Sequence, residues 1–194
     1  MAGRSYHHGD LRNSLIENGI EFINQEGVKQ LSLRKVAALC GVSQAAPYSH
    51  FKSKEALLEA MRDYVTAQFM DILEKAIQSC SNPNDPSVLI QIGKSYVLFF
   101  IHHPQYFTFL FSQSGAKINL SMKNDDSNNF SPFELFKTIA WRILGTGGLP
   151  EEKRKDAVIS MWATVHGLAS IATMKNVYYD EDWQSKIEDI IWRK

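Results

Sequence analysis

Cysteine is scarce in this 194-residue chain. Cys40 and Cys80 are the only two, too few for a disulfide scaffold and without metal-ligand spacing. Long apolar runs are missing as well. The longest unbroken one, Val97-Leu98-Phe99-Phe100-Ile101, falls far short of the roughly 18–20 residues that cross a bilayer, so no membrane partner is expected. The first residues, Met1-Ala2-Gly3-Arg4-Ser5-Tyr6-His7-His8, lack the apolar core of a secretion signal. Net charge is absent too: 21 basic residues balance 21 acidic ones, which excludes a histone-like protein binding nucleic acid over its whole surface. No nucleophile–base pair or phosphate loop stands out, so neither catalysis nor a cofactor is expected. His102, His103 and His166 have no carboxylate or cysteine at ligand spacing, which argues against a metal. What the chain does have is apolar material. A hydrophobic fraction of 44% excludes wholesale disorder, and a soluble cytoplasmic protein of one or two domains is the starting expectation.

The zero net charge hides an asymmetry. Residues 1–54 carry seven basic groups (Arg4, Arg12, Lys29, Arg34, Lys35, Lys52, Lys54) against four acidic ones, and the remainder is acidic by the same margin. A basic end on an acidic body suggests that one end meets a polyanion. That end reads as three short helices. Leu11, Leu15, Gly19, Phe22 and Ile23 form a helical stripe with Asp10 as a candidate N-cap and Gly27 where the helix should close. Ser32 can cap a second helix whose inner face is Leu33, Val36, Ala37 and Cys40. Gly41-Val42-Ser43 is a tight break, and a third helix is expected from about Gln44 to Phe51.

Two short helices joined by a three-residue turn containing glycine is the helix-turn-helix pattern. Val42 would fill the crevice between the helices while the second helix enters a major groove. Its outward residues would be Gln44, Ala45, Tyr48 and Ser49, with His50 near the edge. Gln can pair with adenine, Ser with several bases, and Ala can touch a thymine methyl. Ala45-Ala46 would let the backbone approach something large. Pro47 forfeits one backbone hydrogen bond, so either the first turn is tolerant or the helix starts a residue or two later. Ser53 caps a long fourth helix whose first turn holds Lys54, a placement that opposes the helix dipole unless an anion sits there. Tyr48 and Lys52 are neighbouring candidates for phosphate contact, and Arg34 belongs to the same basic surface.

Leu15-Ile16, Gly27, Leu33, Val36-Ala37, Gly41-Val42-Ser43, Tyr48, His50-Phe51 and Ser53-Lys54-Glu55-Ala56-Leu57-Leu58 resemble the DNA-binding domain of TetR-family transcriptional regulators over residues 10–60. Tyr6-His7-His8-Gly9-Asp10-Leu11-Arg12 resembles a subset of that family. Trp162-Ala163-Thr164-Val165-His166-Gly167 is similar to the Trp-His-Gly signature of one C-terminal class. Pro47 departs from the commoner Leu before Tyr. The resemblance implies an all-helical, Ω-shaped homodimer with two heads on successive major grooves of a palindromic operator. It implies repression relieved by a small molecule in the C-terminal domain. By position, Tyr48 and Lys54 match phosphate contacts, and Ser43 through Ser49 (Ser43, Gln44, Ala45, Ala46, Pro47, Tyr48 and Ser49) match the groove-facing surface.

The body reads as further helices. The fourth should run from Lys54 to about Ser79 with Leu57, Leu58, Met61, Val65, Phe69, Ile72, Leu73 and Ile77 inward. Ser81-Asn82-Pro83-Asn84-Asp85-Pro86 breaks the chain. Helices over Ser87–His102, from Pro104, and over Ser131–Gly145, Glu151–Asn176 and Asp182–Trp192 follow, about nine in all. The segment Gln113–Asn129 is polar, either a lid or a simple connection, with Lys123–Asn129 read as mobile. The expected fold is therefore all-α: a helix-turn-helix domain over 1–54 and an effector-binding and dimerisation domain over 55–194.

Residues 96–111 hold seven aromatics: Tyr96, Phe99, Phe100, Tyr106, Phe107, Phe109 and Phe111. They can line an apolar ligand site or simply pack a core. As a ligand site the candidates are Tyr96, Phe99, Phe100, His103, Phe107, Phe111, Trp141, Trp162 and His166. The helix over 151–176 is apolar nearly all round and must be buried on every side. With the helix over 182–192 it is the expected homodimer interface, four helices across a two-fold axis, with Trp162 and Ile187 as its test positions. Three functions compete. A repressor released by a small molecule leads, with a hinge near Phe69 changing the head spacing. A DNA-binding accessory protein controlled by a protein partner, and a helical enzyme, are the alternatives.

Overall fold

The computed structural model describes residues 11–122 and 129–191. Among these there are eight α-helices and no strand. They fall into two compact units, one of residues up to Val65 together with Thr108–Gly115, the other of Thr66–Phe107 and the residues from Ala116 on. The division lies eleven residues beyond the expected boundary at Lys54, inside a continuous helix, because the first turns of that helix serve the N-terminal core.

In the first unit, α1 (Leu11–Glu26) buries Leu15, Ile16, Ile20 and Ile23. It closes at Gly27, whose φ of 84° suits glycine and whose N–H donates to the Ile23 carbonyl at 2.8 Å. A single turn, Val28–Gln30, leads to α2 (Leu33–Leu39). Ser32 caps α2 as expected, its Oγ accepting from the Lys35 amide at 3.3 Å. Leu33, Val36 and Ala37 are buried, as are Phe51, Leu57 and Met61 of the same unit. The last contribution comes from far downstream: Phe109–Gln113 forms a wide turn against α1, and Phe109 and Leu110 are almost wholly buried.

Helix α3 (Lys54–Gln78) starts on the expected cap, with Ser53 Oγ accepting from the Ala56 amide at 3.2 Å. Its buried stripe is Leu57, Met61, Val65, Phe69 and Leu73, one residue in four. Ile72, expected inward, is 37% exposed because it sits one position off that stripe. Leu58 and Ile77 are half-buried.

The second unit is built on α4 (Ser87–His102), which packs on α7 (Glu151–Thr173) and α8 (Trp183–Ile191). The short α5 (Pro104–Thr108) follows α4, and α6 (Ser131–Thr146) packs on α4 and α7. Helix α7 ends at Thr173, three residues before the expected Asn176. Within its own chain it buries only Val158 and Ala169, so an apolar surface stays open on it. Helix α8 begins after Asp182, whose Oδ2 accepts from the Ser185 amide at 2.9 Å; Trp192, expected to end it, lies outside the described residues. Residues 117–121 of the polar segment are tied down. Asn129 accepts from the Asn119 amide at 2.7 Å and donates back to the Asn119 carbonyl at 3.0 Å. Lys123–Asn128, read as mobile, and the N-terminal residues Tyr6–Asp10 lie outside the described residues.

Candidate nucleic-acid interface and cavity

The segment after α2 turns on Gly41, whose φ is 66° and whose N–H donates to the Ala38 carbonyl at 3.2 Å. Val42 follows with its amide on the Ala37 carbonyl at 3.0 Å and its side chain half-buried. The expected third α-helix over Gln44–Phe51 is not formed. In its place a 3-10 turn spans Ala46–Ser49, with Ala46, Tyr48 and His50 amides donating to the Ser43, Ala45 and Pro47 carbonyls at 3.0–3.1 Å. Pro47 is the reason: it has no N–H for the first helical turn, and it lies buried as the segment's anchor. Without this element the described residues hold eight α-helices, one fewer than expected.

The predicted groove-facing residues are nonetheless presented together. Ser43, Gln44, Ala45, Ser49 and His50 are exposed and Tyr48 is 52% exposed, a high value for a large aromatic ring. Ala46 is half-buried. Ser49 spends its hydroxyl hydrogen on the Ala46 carbonyl at 2.7 Å and retains acceptor capacity only. Lys52 and Arg34 are exposed. Lys54 is half-buried at the start of α3, with its Nζ 3.3 Å from the Lys29 carbonyl, one of the three donors an ammonium offers. Beside it, backbone and Ser53 hydrogen bonds hold the exposed Glu55 carboxyl below its ordinary range. Arg12 lies over the Phe51 ring at 5.5 Å, which orients the ring that follows His50.

In the second unit the aromatic residues of α4 divide between two tasks. Phe99 stacks on Phe69 at 4.9 Å, Phe100 meets Phe69 edge-on at 4.9 Å, and Phe107 meets Phe100 at 5.2 Å. His103 stacks on Tyr106 at 5.0 Å. These rings are a packed cluster rather than the wall of a void. A cavity of about 250 Å³, partly open to solvent, lies elsewhere in the unit, on the face of α4 that carries Leu89, Ile92, Gly93 and Tyr96, bordered by residues of α6, α7 and α8. Of the nine predicted ligand residues, Tyr96 and Trp162 line it. Phe99, Phe100, His103, Phe107, Phe111, Trp141 and His166 do not; Phe111 belongs to the first unit, and Trp141 lies under the Arg154 guanidinium at 5.5 Å.

Tyr96 and His166 are coupled. Tyr96 Oη and His166 Nδ1 share a hydrogen bond of 2.8 Å, and the His166 ring stacks on Trp162 at 4.7 Å. Burial pushes the Tyr96 phenol well above its ordinary value and the His166 imidazole below its own, so both stay neutral near pH 7. Gly93, Phe136, Met161 and Ile191 are among the wall residues that the sequence did not single out. Gly93 carried a signal, a glycine inside an apolar helix. Trp162 and Ile187, expected at a subunit interface, are used within the chain: Trp162 packs on Phe133 and His166, and Ile187 is fully buried. Among the described residues no helix is long and apolar enough to cross a membrane.

Comparison with known proteins converges on one group. The model of the bacterial regulatory proteins of the tetR family matches residues 15–61, and that of the tetracyclin repressor-like C-terminal domain matches residues 89–189. An uncharacterized HTH-type transcriptional regulator of Mycobacterium tuberculosis is 24% identical, covering 94% of this chain and 78% of its own. The class A tetracycline repressor of Escherichia coli is 39% identical over 29% of this chain and 26% of its own. Among solved structures, a transcriptional regulator described as putative from Pseudomonas aeruginosa superposes with a TM-score of 0.72 at 18% identity, covering 96% of this chain and 89% of that one.

Proposed function

The chain belongs to the TetR family of DNA-binding transcriptional regulators, which are not enzymes, and from that premise we propose that it is a repressor released from a palindromic operator by a small, largely apolar ligand. The observation that carries the reading is the pairing of a helix-turn-helix surface, with Gln44 and Tyr48 exposed, with a cavity in the second unit. A cavity supports a small-molecule effector over control by a protein partner.

On this reading the exposed face at Ser43, Gln44, Ala45, Ala46 and Ser49 reads bases, while Tyr48, Lys52, Lys54, His50 and Arg34 hold phosphates. The homodimer forms through α7 and α8. Ile171 on α7 at 43% exposure, with Met174 at 53% and Tyr178 at 90% in the connection to α8, supplies open apolar surface for it. Sedimentation of Ile171→Asp and Met174→Asp variants reads the interface. A mass unchanged from a wild-type dimer removes these positions from it.

Ligand and operator weaken each other's binding by the same factor, since an effector shifts only an equilibrium to which it is differentially bound. Equal ligand affinity for free and operator-bound protein would sink this mechanism. The first experiment is selection of bound fragments from the sheared source genome at moderate salt. Enrichment of one short palindrome is the expected outcome; retention of fragments without a common motif counts against a sequence-specific dimeric regulator.

A further inference from the structure

The walls of the cavity narrow the chemistry of what it can hold. Among the described residues, none that lines it carries a charge. An ion entering there sheds its water without gaining a counter-charge, which strongly disfavours it. Two charges on adjoining helix positions are already committed. Lys94, next to Gly93, pairs with Glu188 at 3.3 Å. Lys137, next to Phe136, pairs with Glu134 at 2.6 Å and donates to the Ser121 carbonyl at 3.3 Å.

Polar capacity in the wall is small and neutral. Tyr96 is occupied by His166 at 2.8 Å, and the Thr164 hydroxyl donates to the Ser160 carbonyl at 2.9 Å. The wall also includes Ser160 and Trp162, whose hydroxyl and indole N–H are neutral donors that suit an acceptor on a guest. Size follows from volume. A dry apolar cavity of about 150 Å³ holds one benzene ring, so 250 Å³ scales to about ten non-hydrogen atoms.

Gly93 is a tight point of that wall. A Cβ added there would lie 3.1 Å from both Ile191 Cδ1 and Val165 Cγ1, two other wall residues. The missing side chain lets these two close against α4, and a methyl there forces them to shift by a few tenths of an ångström.

We propose that the cavity takes an uncharged, largely apolar molecule of about ten non-hydrogen atoms with one hydrogen-bond acceptor, and that the close fit of Val165 and Ile191 against Gly93 shapes the wall it meets. This rests on the small-molecule reading above and specifies its ligand class.

Calorimetry on the full chain at neutral pH, with cinnamamide and its isosteric acid cinnamate, tests it. The amide binds saturably and cinnamate binds about a hundredfold more weakly or worse, because only the acid carries a charge into the cavity. The longer N-hexylcinnamamide is excluded. Gly93→Ala, which forces the Val165 and Ile191 wall side chains to shift, weakens amide binding, and Leu89→Trp, at a half-buried wall position, abolishes it by filling the space; far-UV circular dichroism confirms that each variant is folded. Equal binding of acid and amide overturns the proposal, as does binding of the hexyl amide or absence of amide binding. Operator release is read separately by anisotropy on a fragment recovered from the genomic selection. Amide that binds without releasing DNA upholds the cavity's chemistry and sinks the effector reading alone.

Discussion

Phe69→Ala is the perturbation that separates a packed aromatic core from a ligand-lined one. Phe69 is fully buried on α3, with ring centroids of Phe99 and Phe100 at 4.9 Å, Tyr96 at 5.1 Å and Phe130 at 6.3 Å. Removing a buried Phe side chain costs about 3–5 kcal/mol, transfer and cavity terms together. Aromatic pairs of this geometry add about 0.5–1.5 kcal/mol each beyond their area, though not additively. With three rings at close distance the loss belongs near the top of that range, about 5 kcal/mol. That is a large part of the roughly 5–15 kcal/mol of a folded domain. Phe69→Leu keeps most of the volume and loses the ring, so its cost is about 1–2 kcal/mol. Urea unfolding followed by circular dichroism at one fixed protein concentration reads both, since a dimer's midpoint moves with concentration. A cost for Phe69→Ala below about 1 kcal/mol would refute the reasoning. The rings would then border a space that water or a ligand refills.

Three further outcomes follow from local geometry. Gly41→Ala places a Cβ in open space but in a left-handed backbone at φ 66°, so it should cost about 1–2 kcal/mol of stability by urea midpoint, from backbone strain alone. Stability also depends on pH through His166. Burial lowers its folded pKa, so as pH falls past the ordinary 6.5 the unfolded chain takes up the proton first. The His166 contribution is complete above that value, declines through the window beneath it and is gone below the folded pKa; a His166→Asn variant should show a shallower acid limb, and an identical limb would contradict the assignment. On DNA, Lys54→Ala should weaken binding to all fragments alike and lower the salt slope by about one, whereas Gln44→Ala should change preference at one base pair; the reverse pattern in fluorescence titrations would exchange their roles.

Helix boundaries were legible where the signal is local. Gly27, Ser32, Ser53 and the residue before Pro104 act through one or two hydrogen bonds within a few positions, and each ends or starts a helix where expected. The segment after Gly41 was legible in its residues but not in its geometry. Pro47 was recognisable as the obstacle, yet the choice between a tolerated proline and a 3-10 turn depends on burying its ring. The cavity was half legible. Composition pointed to α4, but which of its faces packs and which stays hollow depends on what crosses it. Phe99 and Phe100 meet Phe69, while Gly93 meets the side chains of Val165 and Ile191, contacts with no trace in the spacing of α4 itself. Phe111 was grouped with its sequence neighbours for the same reason, although Phe109–Gln113 packs on α1.

That last excursion has a consequence for how the protein is made. The N-terminal core is sealed by Phe109 and Leu110, which leave the ribosome long after α2. Until then the face of α1 that they cover is bare, and the nascent chain carries an unfinished head. The same discontinuity denies the head the status of a detachable cassette. A fragment ending at Val65 would expose that face to water, and a graft onto another body would have to bring residues 108–115 or an apolar substitute with it.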